Sequence, residues 1–402
     1  MKVTFLLHNV YGIGGTIRTT LNLAAALADR HEVTVVSMLR HRENPRFDID
    51  PRVRVVPLVD LREDAADAAD PLLREPAKVF PSTEKRYRQY SLLTDRRAEE
   101  YLRGCDANVI IGTRPGVNVY LARFGRSSAL RIAQEHLTHD GHSKKLRAEL
   151  VGHYRTLDAV VTTTEADAAA YRAHMRLPGV RILAVPNSVP APGLPPADGT
   201  AKVIAAAGRL VHTKRFDLLI EAFGQIAAKQ PDWSLRIYGG GAERARLQEL
   251  IEDRALADQV TLMGMRSPIE AEFAQASIVA SASDAESFGM TLVEAMRCGV
   301  PVVSTDCPLG PAEIIHDGVD GRLVPVGDRH ALAAVLLDLI ADEPGRRRMG
   351  AAARTAADRF DPALVARTYD QLFTELAATR RSRAAQRRQL VWRGRLRRIL
   401  HR

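Results

Sequence analysis

Cysteine is scarce in this 402-residue chain: Cys105, Cys298 and Cys307 form an odd, scattered set. That argues against a disulfide framework and for a reducing compartment. Long apolar runs are missing too. The first apolar stretch ends at His8 and Asn9 without a small-residue cleavage site, and no later stretch reaches the roughly 18 apolar residues of a spanning helix. The expectation is a cytoplasmic protein. Aromatic residues do not interleave with cations as they do in the stacking platforms of nucleic-acid binders, so no nucleic-acid partner is expected.

Acidic residues are absent from the last stretch, Arg380 to Arg402, which carries ten arginines. The formal net charge of the whole chain is +9, and without those ten the remainder comes to −1. The basicity therefore belongs to a tail and not to the body. Trp392, Leu396, Ile399 and Leu400 recur there at three- and four-residue spacing between arginines. Such a pattern suits a basic amphipathic helix on an anionic membrane surface, or equally a final helix whose apolar stripe packs on the body.

What is present is alternation. An apolar strand pattern at Lys2 to His8 is followed by a glycine-rich turn, a helical pattern from about Thr16 to Asp29, and a second strand pattern, the βαβ opening of a parallel sheet. Further strand patterns follow at Arg52–Val59, Ala107–Gly112, Leu130–Glu135, Ala159–Thr164 and Val180–Pro186. Between Asp60 and Ser82 the chain is rich in Ala, Asp and Pro without period, which predicts an exposed, mobile insertion. Five prolines from Pro186 to Pro196 predict a stiff linker over 187–200, after which the alternation restarts. The expected fold is α/β: two Rossmann-like, doubly wound domains, 1–186 and 201–365, facing a cleft, with helices and the basic tail over 366–402. Ligands of such sheets sit beyond the carboxyl ends of the strands.

Three motifs fall at those ends. The turn Gly12-Ile13-Gly14-Gly15 lets backbone N–H groups and the next helix N-terminus approach a phosphate, although its spacing is neither G-x-G-x-x-G nor a Gly-Lys-Ser/Thr loop. Arg209 and Lys214 lie in one strand-to-helix loop, a guanidinium and an ammonium suited to a diphosphate. The third is "SDAESFGMTLVEAMRCGVPVVST", in which Glu286 and Glu294 stand eight residues apart. In one continuous helix they would lie within about a quarter turn of each other and repel. Gly289 predicts instead a helix starting near Phe288 to Met290, with Glu286 in the preceding loop and Glu294 in the second turn. Amides at Phe288, Gly289 and Met290 would then hold an anion, while the two carboxylates accept hydrogen bonds from hydroxyls. A diphosphate between two hydroxyl-bearing groups describes a nucleotide-sugar.

The stretch "ESFGMTLVEAMRCGVPVVST", with "GRLVHTKRFD" before it and "GPAEIIHDGVDGRLVP" after it, resembles glycosyltransferase family 4, retaining enzymes of the GT-B fold (glycosyl transferases group 1). The glycine-rich first loop, the proline linker and Gly239 to Gly241 extend the resemblance over nearly the whole chain. It implies that Glu286 contacts the donor sugar, Glu294 the ribose, Arg209 and Lys214 the diphosphate, and Gly14 and Gly15 the phosphate from the first domain, which also supplies the acceptor site. It implies that His136 sits beside the reacting carbon. The base pocket is expected around Gly239 and Met263 to Met265, with Met265 among the donor-binding residues. A UDP-sugar donor and a cell-surface polymer, lipid or other glycan acceptor are implied, with no cofactor and no metal, because cations and a helix end neutralise the leaving diphosphate.

Two departures stand out. Arg215 occupies a place where the family commonly has glycine, and "CPLGPAEII" at Cys307 to Ile315 resembles a subgroup acting on polymers such as teichoic acids. His136, His139 and His142 at three-residue spacing lack the carboxylate or cysteine set of a metal site, and His139 and His142 read as a polar loop. The pair Asp48 and Asp50 lacks the apolar strand that a metal-holding D-x-D uses. A nucleotide-sugar epimerase and a non-catalytic nucleotide-sugar-binding protein remain as alternatives on the same fold.

Overall fold

A computed structural model describes residues 1–388, and these divide into two compact units, Met1–Ser188 with residues 362–388, and Val189–Asp361. Trp392, Leu396, Ile399 and Leu400 lie outside the described residues.

In the first unit, seven strands form one sheet: β1 (Lys2–Leu7), β2 (Glu32–Arg40), β3 (Val53–Asp60), β4 (Val109–Gly112), β5 (Leu130–Gln134), β6 (Ala159–Thr162) and β7 (Arg181–Ala184). Their order is β3-β2-β1-β4-β5-β6-β7, with every pair parallel. The inner strands are apolar on both faces, as a sheet covered by helices requires: Val109, Ile110 and Ile111 are all fully buried. The order reverses between β1 and β4, so the loops after Leu7 and Gly112 border the site-forming crevice of this topology.

The second unit carries six parallel strands: β8 (Val203–Ala207), β9 (Ser234–Tyr238), β10 (Val260–Gly264), β11 (Ile278–Ser281), β12 (Val302–Thr305) and β13 (Gly321–Val324). Their order is β10-β9-β8-β11-β12-β13, and the reversal falls between β8 and β11. Helix Phe216–Ala227 buries Leu219, Ile220, Phe223 and Ile226 against this sheet.

The structure departs from expectation in two places. Of the expected linker, residues 189–200 are tied into the second unit: Val189 N donates to Phe360 O at 2.9 Å and Ala197 N to Cys298 O at 2.9 Å. The expected insertion after Asp60 is anchored at its far end, because the buried Asp95 carboxylate accepts from the amides of Lys78 (2.5 Å), Val79 (2.9 Å) and Phe80 (3.3 Å). Phe80 then stacks on Tyr90 with ring centroids 3.6 Å apart.

The chain after Pro362 returns to the first unit. Helix Pro362–Ala378 belongs to the first unit, where Tyr369, Leu372, Phe373 and Leu376 join the core cluster of β1 and helix Gly15–Leu27. Residues 380–388 continue as helix, and the first part of the basic tail is docked. Arg383 is 7% exposed and pairs with Asp158 at 2.7 Å, while Arg380 donates to the carbonyls of Ser127, Ser128 and Ala129.

Candidate active site

At the reversal point of the second sheet, the loops after β8 and β11 are joined by backbone and side chain. Asp284 N donates to Thr213 O at 3.0 Å. Lys214 Nζ meets Glu286 Oε1 at 2.5 Å, and Ser283 Oγ donates to the same oxygen at 2.8 Å. The Glu286 side chain is 10% exposed and that of Lys214 22%, so the pair is shielded but reachable. Glu286 is held from the other side by the loop after β12: its N–H donates to Pro308 O at 3.0 Å, and Leu309 N donates back to Glu286 O at 3.1 Å. Thr305 Oγ1 fixes Ser283 through its carbonyl at 2.6 Å. Burial and the neighbouring Glu286 carboxylate push the Cys307 thiol up to about 11, which leaves it neutral and unreactive.

Backbone crowding fixes this cradle. Gly310 packs so tightly on Phe288 that a Cβ would lie 1.6 Å from the Phe288 carbonyl oxygen. At Gly239 a Cβ would lie 1.8 Å from Gly208 O, and at Gly241 2.2 Å from Leu210 O. Helix Met290–Arg297 begins after Gly289, whose φ of 112° is open to glycine, and has neither a side-chain cap nor an acidic residue in its first turn. Its leading amides therefore keep their capacity for an anion. Phe288 is buried, Met290 is half-buried, and Glu294 is 4% exposed within the helix.

Arg209 lies exposed on the loop after β8 and makes no ion pair among the described residues. Met265 follows β10, is 68% exposed, and stands beside Gly240, where a Cβ would sit 3.4 Å from Met265 Cγ. Lys214 and Ser283 thus both meet Glu286, whereas neither Arg209 nor Met265 bonds to that group. Ser283 and the Pro308–Leu309 backbone were not legible as site elements; the unusual "CPLGP" segment was the available signal. Arg215 adopts φ 47°, ψ 42°, the left-handed conformation that glycine favours, and its guanidinium lies 3.2 Å from Asp284 and 3.3 Å from Asp217. An arginine is tolerated there because it ties the two loops together.

Gly14, Gly15 and His136 stand on the first unit. Gly14 precedes helix Gly15–Leu27, which has no side-chain cap and no acid in its first turn. A Cβ at Gly14 would meet nothing within 4 Å and its φ of 161° is ordinary extended backbone, so packing does not demand glycine there. His136 follows β5 with both ring nitrogens buried and unpartnered, and burial pushes it down to about 4, so it is neutral at pH 7. His139 and His142 are not a polar loop: they are 4% and 5% exposed. His142 Nε2 lies 3.4 Å from Glu135 Oε2, and the His139 ring stacks on His174 at 5.2 Å. Among the described residues no group of His, Cys, Asp and Glu is placed to hold a metal ion. Asp50 is engaged by Arg52 at 2.7 Å, which holds its carboxyl down to about 2.

The sequence family described as glycosyl transferases group 1 matches residues 195–356, and that described as Glycosyltransferase Family 4 matches residues 13–191. The chain belongs to these glycosyltransferases. An exopolysaccharide phosphotransferase of Streptomyces coelicolor is 34% identical over 94% of this chain and 41% of its own length. An uncharacterized glycosyltransferase of Haemophilus influenzae is 24% identical over 85% of this chain and 91% of that protein. A poly(ribitol-phosphate) alpha-N-acetylglucosaminyltransferase of Staphylococcus aureus is 25% identical over 64% of this chain and 53% of that protein. The chain thus spans 41% of the Streptomyces relative and 53% of the Staphylococcus one. Among solved structures, TarM superposes with a TM-score of 0.75 at 17% identity, covering 92% of this chain and 98% of TarM. Sucrose-phosphate synthase from Thermosynechococcus elongatus superposes with a TM-score of 0.76 at 19% identity, covering 94% and 100%. At such identities the likeness establishes the fold, which is GT-B.

Proposed function

We propose that this glycosyltransferase moves a sugar, with retention, from a nucleotide-diphosphate sugar to a hydroxyl of a cell-surface polymer, lipid or other glycan acceptor. The observation that carries the proposal is the contact of Lys214 and Ser283 with Glu286 at the reversal point of the second sheet, beside the uncapped helix Met290–Arg297. Solved relatives of this fold described in complex with UDP, or with UDP and glucose, support a uridine donor. The names of the Streptomyces and Staphylococcus relatives support a polymeric acceptor.

In this reaction the bond from the anomeric carbon to the phosphate oxygen breaks with oxocarbenium character, so stabilising the departing negative charge is the main task. Arg209, Lys214 and the amides at Phe288, Gly289 and Met290 take that charge. These groups neutralise the diphosphate without a metal. Glu286 accepts from donor-sugar hydroxyls and Glu294 from the ribose. The acceptor hydroxyl attacks on the face the diphosphate leaves, and its proton passes to the departing phosphate oxygen. No helix among the described residues is long and apolar enough to cross a membrane. A cytoplasmic protein with its arginine-rich tail on the inner membrane face fits an acceptor assembled there.

The test is release of UDP from UDP-sugars with and without glycan acceptors, with anomeric configuration of the product read by NMR. Acceptor-dependent release with retained configuration is expected. Turnover without an acceptor would support an epimerase, and donor binding with no turnover for any acceptor would leave a sugar-nucleotide-binding protein.

A further inference from the structure

From Ser281 to Glu286 the chain runs Ser-Ala-Ser-Asp-Ala-Glu, hydroxyls and carboxylates with no apolar side chain larger than alanine between them. Ser283 stands two residues past the end of β11 and is 1% exposed, too enclosed to touch a ligand itself. It turns inward and donates to Glu286 Oε1 at 2.8 Å, the same oxygen that Lys214 Nζ meets at 2.5 Å. Glu286 Oε2 makes no hydrogen bond among the described residues. One carboxylate oxygen is thus anchored twice, and the other is left to accept from a substrate hydroxyl. A serine hydroxyl carries a single proton. Because that of Ser283 is committed to Glu286, the 3.3 Å contact between Ser281 Oγ and Ser283 Oγ runs with Ser281 as donor. Thr305 Oγ1, buried at the end of β12, donates to Ser283 O at 2.6 Å and fixes the backbone that carries the hydroxyl.

We infer that Ser283 is a positioning residue for glycosyl transfer: it keeps the Glu286 carboxylate aimed at the donor sugar while Lys214 engages the diphosphate. The inference rests on the proposed donor site. The two donors to Oε1 differ in what binding does to them. The Lys214 side chain is 22% exposed, and its ammonium is drawn to the diphosphate, which carries more charge than one carboxylate. Its hold on Glu286 weakens as the sugar arrives. The Ser283 hydroxyl is neutral, enclosed and supported from behind by Ser281, so its hold on Oε1 does not change. Without it the carboxylate would keep its place in the loop through the backbone contacts to Pro308 and Leu309, while its side chain turned freely. A group that must meet a sugar hydroxyl in one orientation loses rate when its side chain is left to search.

The experiment compares Ser283→Ala with the unaltered chain in two readouts: UDP-sugar turnover with a glycan acceptor, and calorimetric titration with UDP, which lacks the sugar. Loss of one hydrogen bond to a charged group should lower kcat/KM for the UDP-sugar roughly tenfold, while UDP affinity and the unfolding midpoint hardly move. Ser281→Ala, one link further back, should give a smaller fall of the same kind. On a Glu286→Ala background the Ser283→Ala change should lower turnover no further, because no carboxylate is left to hold. A serine with a merely structural role would lower turnover by the same factor on both backgrounds, and that result overturns the inference. Unchanged turnover in Ser283→Ala overturns it too, as does a fall in UDP affinity that matches the fall in turnover. Each of these outcomes leaves the glycosyl transfer itself standing, whereas no acceptor-dependent turnover of any UDP-sugar by the unaltered chain removes the functional proposal and this inference with it.

Discussion

The carboxyl edges of the two sheets share a topology and differ in how their charges are held. In the second unit the central carboxylate, Glu286, is met by an ammonium and a hydroxyl and pinned through its backbone by the loop after β12. In the first unit Glu84 is met by the Arg114 guanidinium, and two histidines are kept neutral by burial, His8 and His136. Fixed donors at short range suit the diphosphate and sugar of the proposed donor.

The largest expected effect pits the crowded edge against the open one. Gly310→Ala forces a Cβ into the Phe288 carbonyl and should lower stability by about 3 kcal/mol or more by overpacking. Gly14→Ala meets open space and should leave the unfolding midpoint within about a degree. Thermal unfolding of both variants checks the contrast, and equal midpoints would remove it.

Next comes the ion pair. Glu286→Gln keeps the shape of the side chain but removes its charge opposite Lys214, and turnover should fall on the order of 100-fold, as for loss of one preorganised electrostatic partner. Steady-state kinetics on folded protein reads it; turnover within a factor of two of wild type sinks the assignment.

Protonation sharpens the comparison from the other side. The His136 ring titrates near 4 in the folded protein and near 6.5 unfolded, so the unfolded chain binds more protons between those values. The ring's contribution is fully present above pH 6.5 and is lost as pH falls towards 4, a difference on the order of 2 to 3 kcal/mol. Burial raises Asp167 to about 6, which acts in the opposite sense over much of the same window. The clean measurement is therefore the stability difference between wild type and His136→Asn at pH 7 and at pH 4.5. It should shift in the variant's favour on acidification, and a constant difference would show that the ring is solvated.

The smallest effect is expected at Arg215→Gly. Glycine relieves the left-handed backbone but loses the contacts to Asp284 and Asp217, so the two terms offset within about 1 kcal/mol. Denaturant unfolding checks it, and a loss above about 2 kcal/mol would mean that the ion pairs hold the two loops more strongly than their half-exposed setting allows.

The strand ends and the loop position of Glu286 were legible in the sequence because glycine breaks and strand patterns are local signals. The supports were not, since they depend on distant segments: Pro308 and Leu309 reach Glu286 across a strand, and Asp95 gathers three amides from a stretch whose composition reads as mobile. Burial of His139 and His142 was hidden for the same reason. Their partners, His174 and Glu135, come from a separate helix and from the end of β5. The docked arginines tell the same story, because Arg383 looks like tail and is paired by Asp158, more than two hundred residues earlier.

The most direct test of the central claim, that the carboxyl edge of the second sheet is the donor site, is calorimetric titration of a UDP-sugar panel into the full chain, its Lys214→Met variant and its Gly14→Ala variant. One UDP-sugar should bind with unit stoichiometry, Lys214→Met should weaken it at least tenfold, and Gly14→Ala should change it less. Unchanged affinity in Lys214→Met would contradict the account.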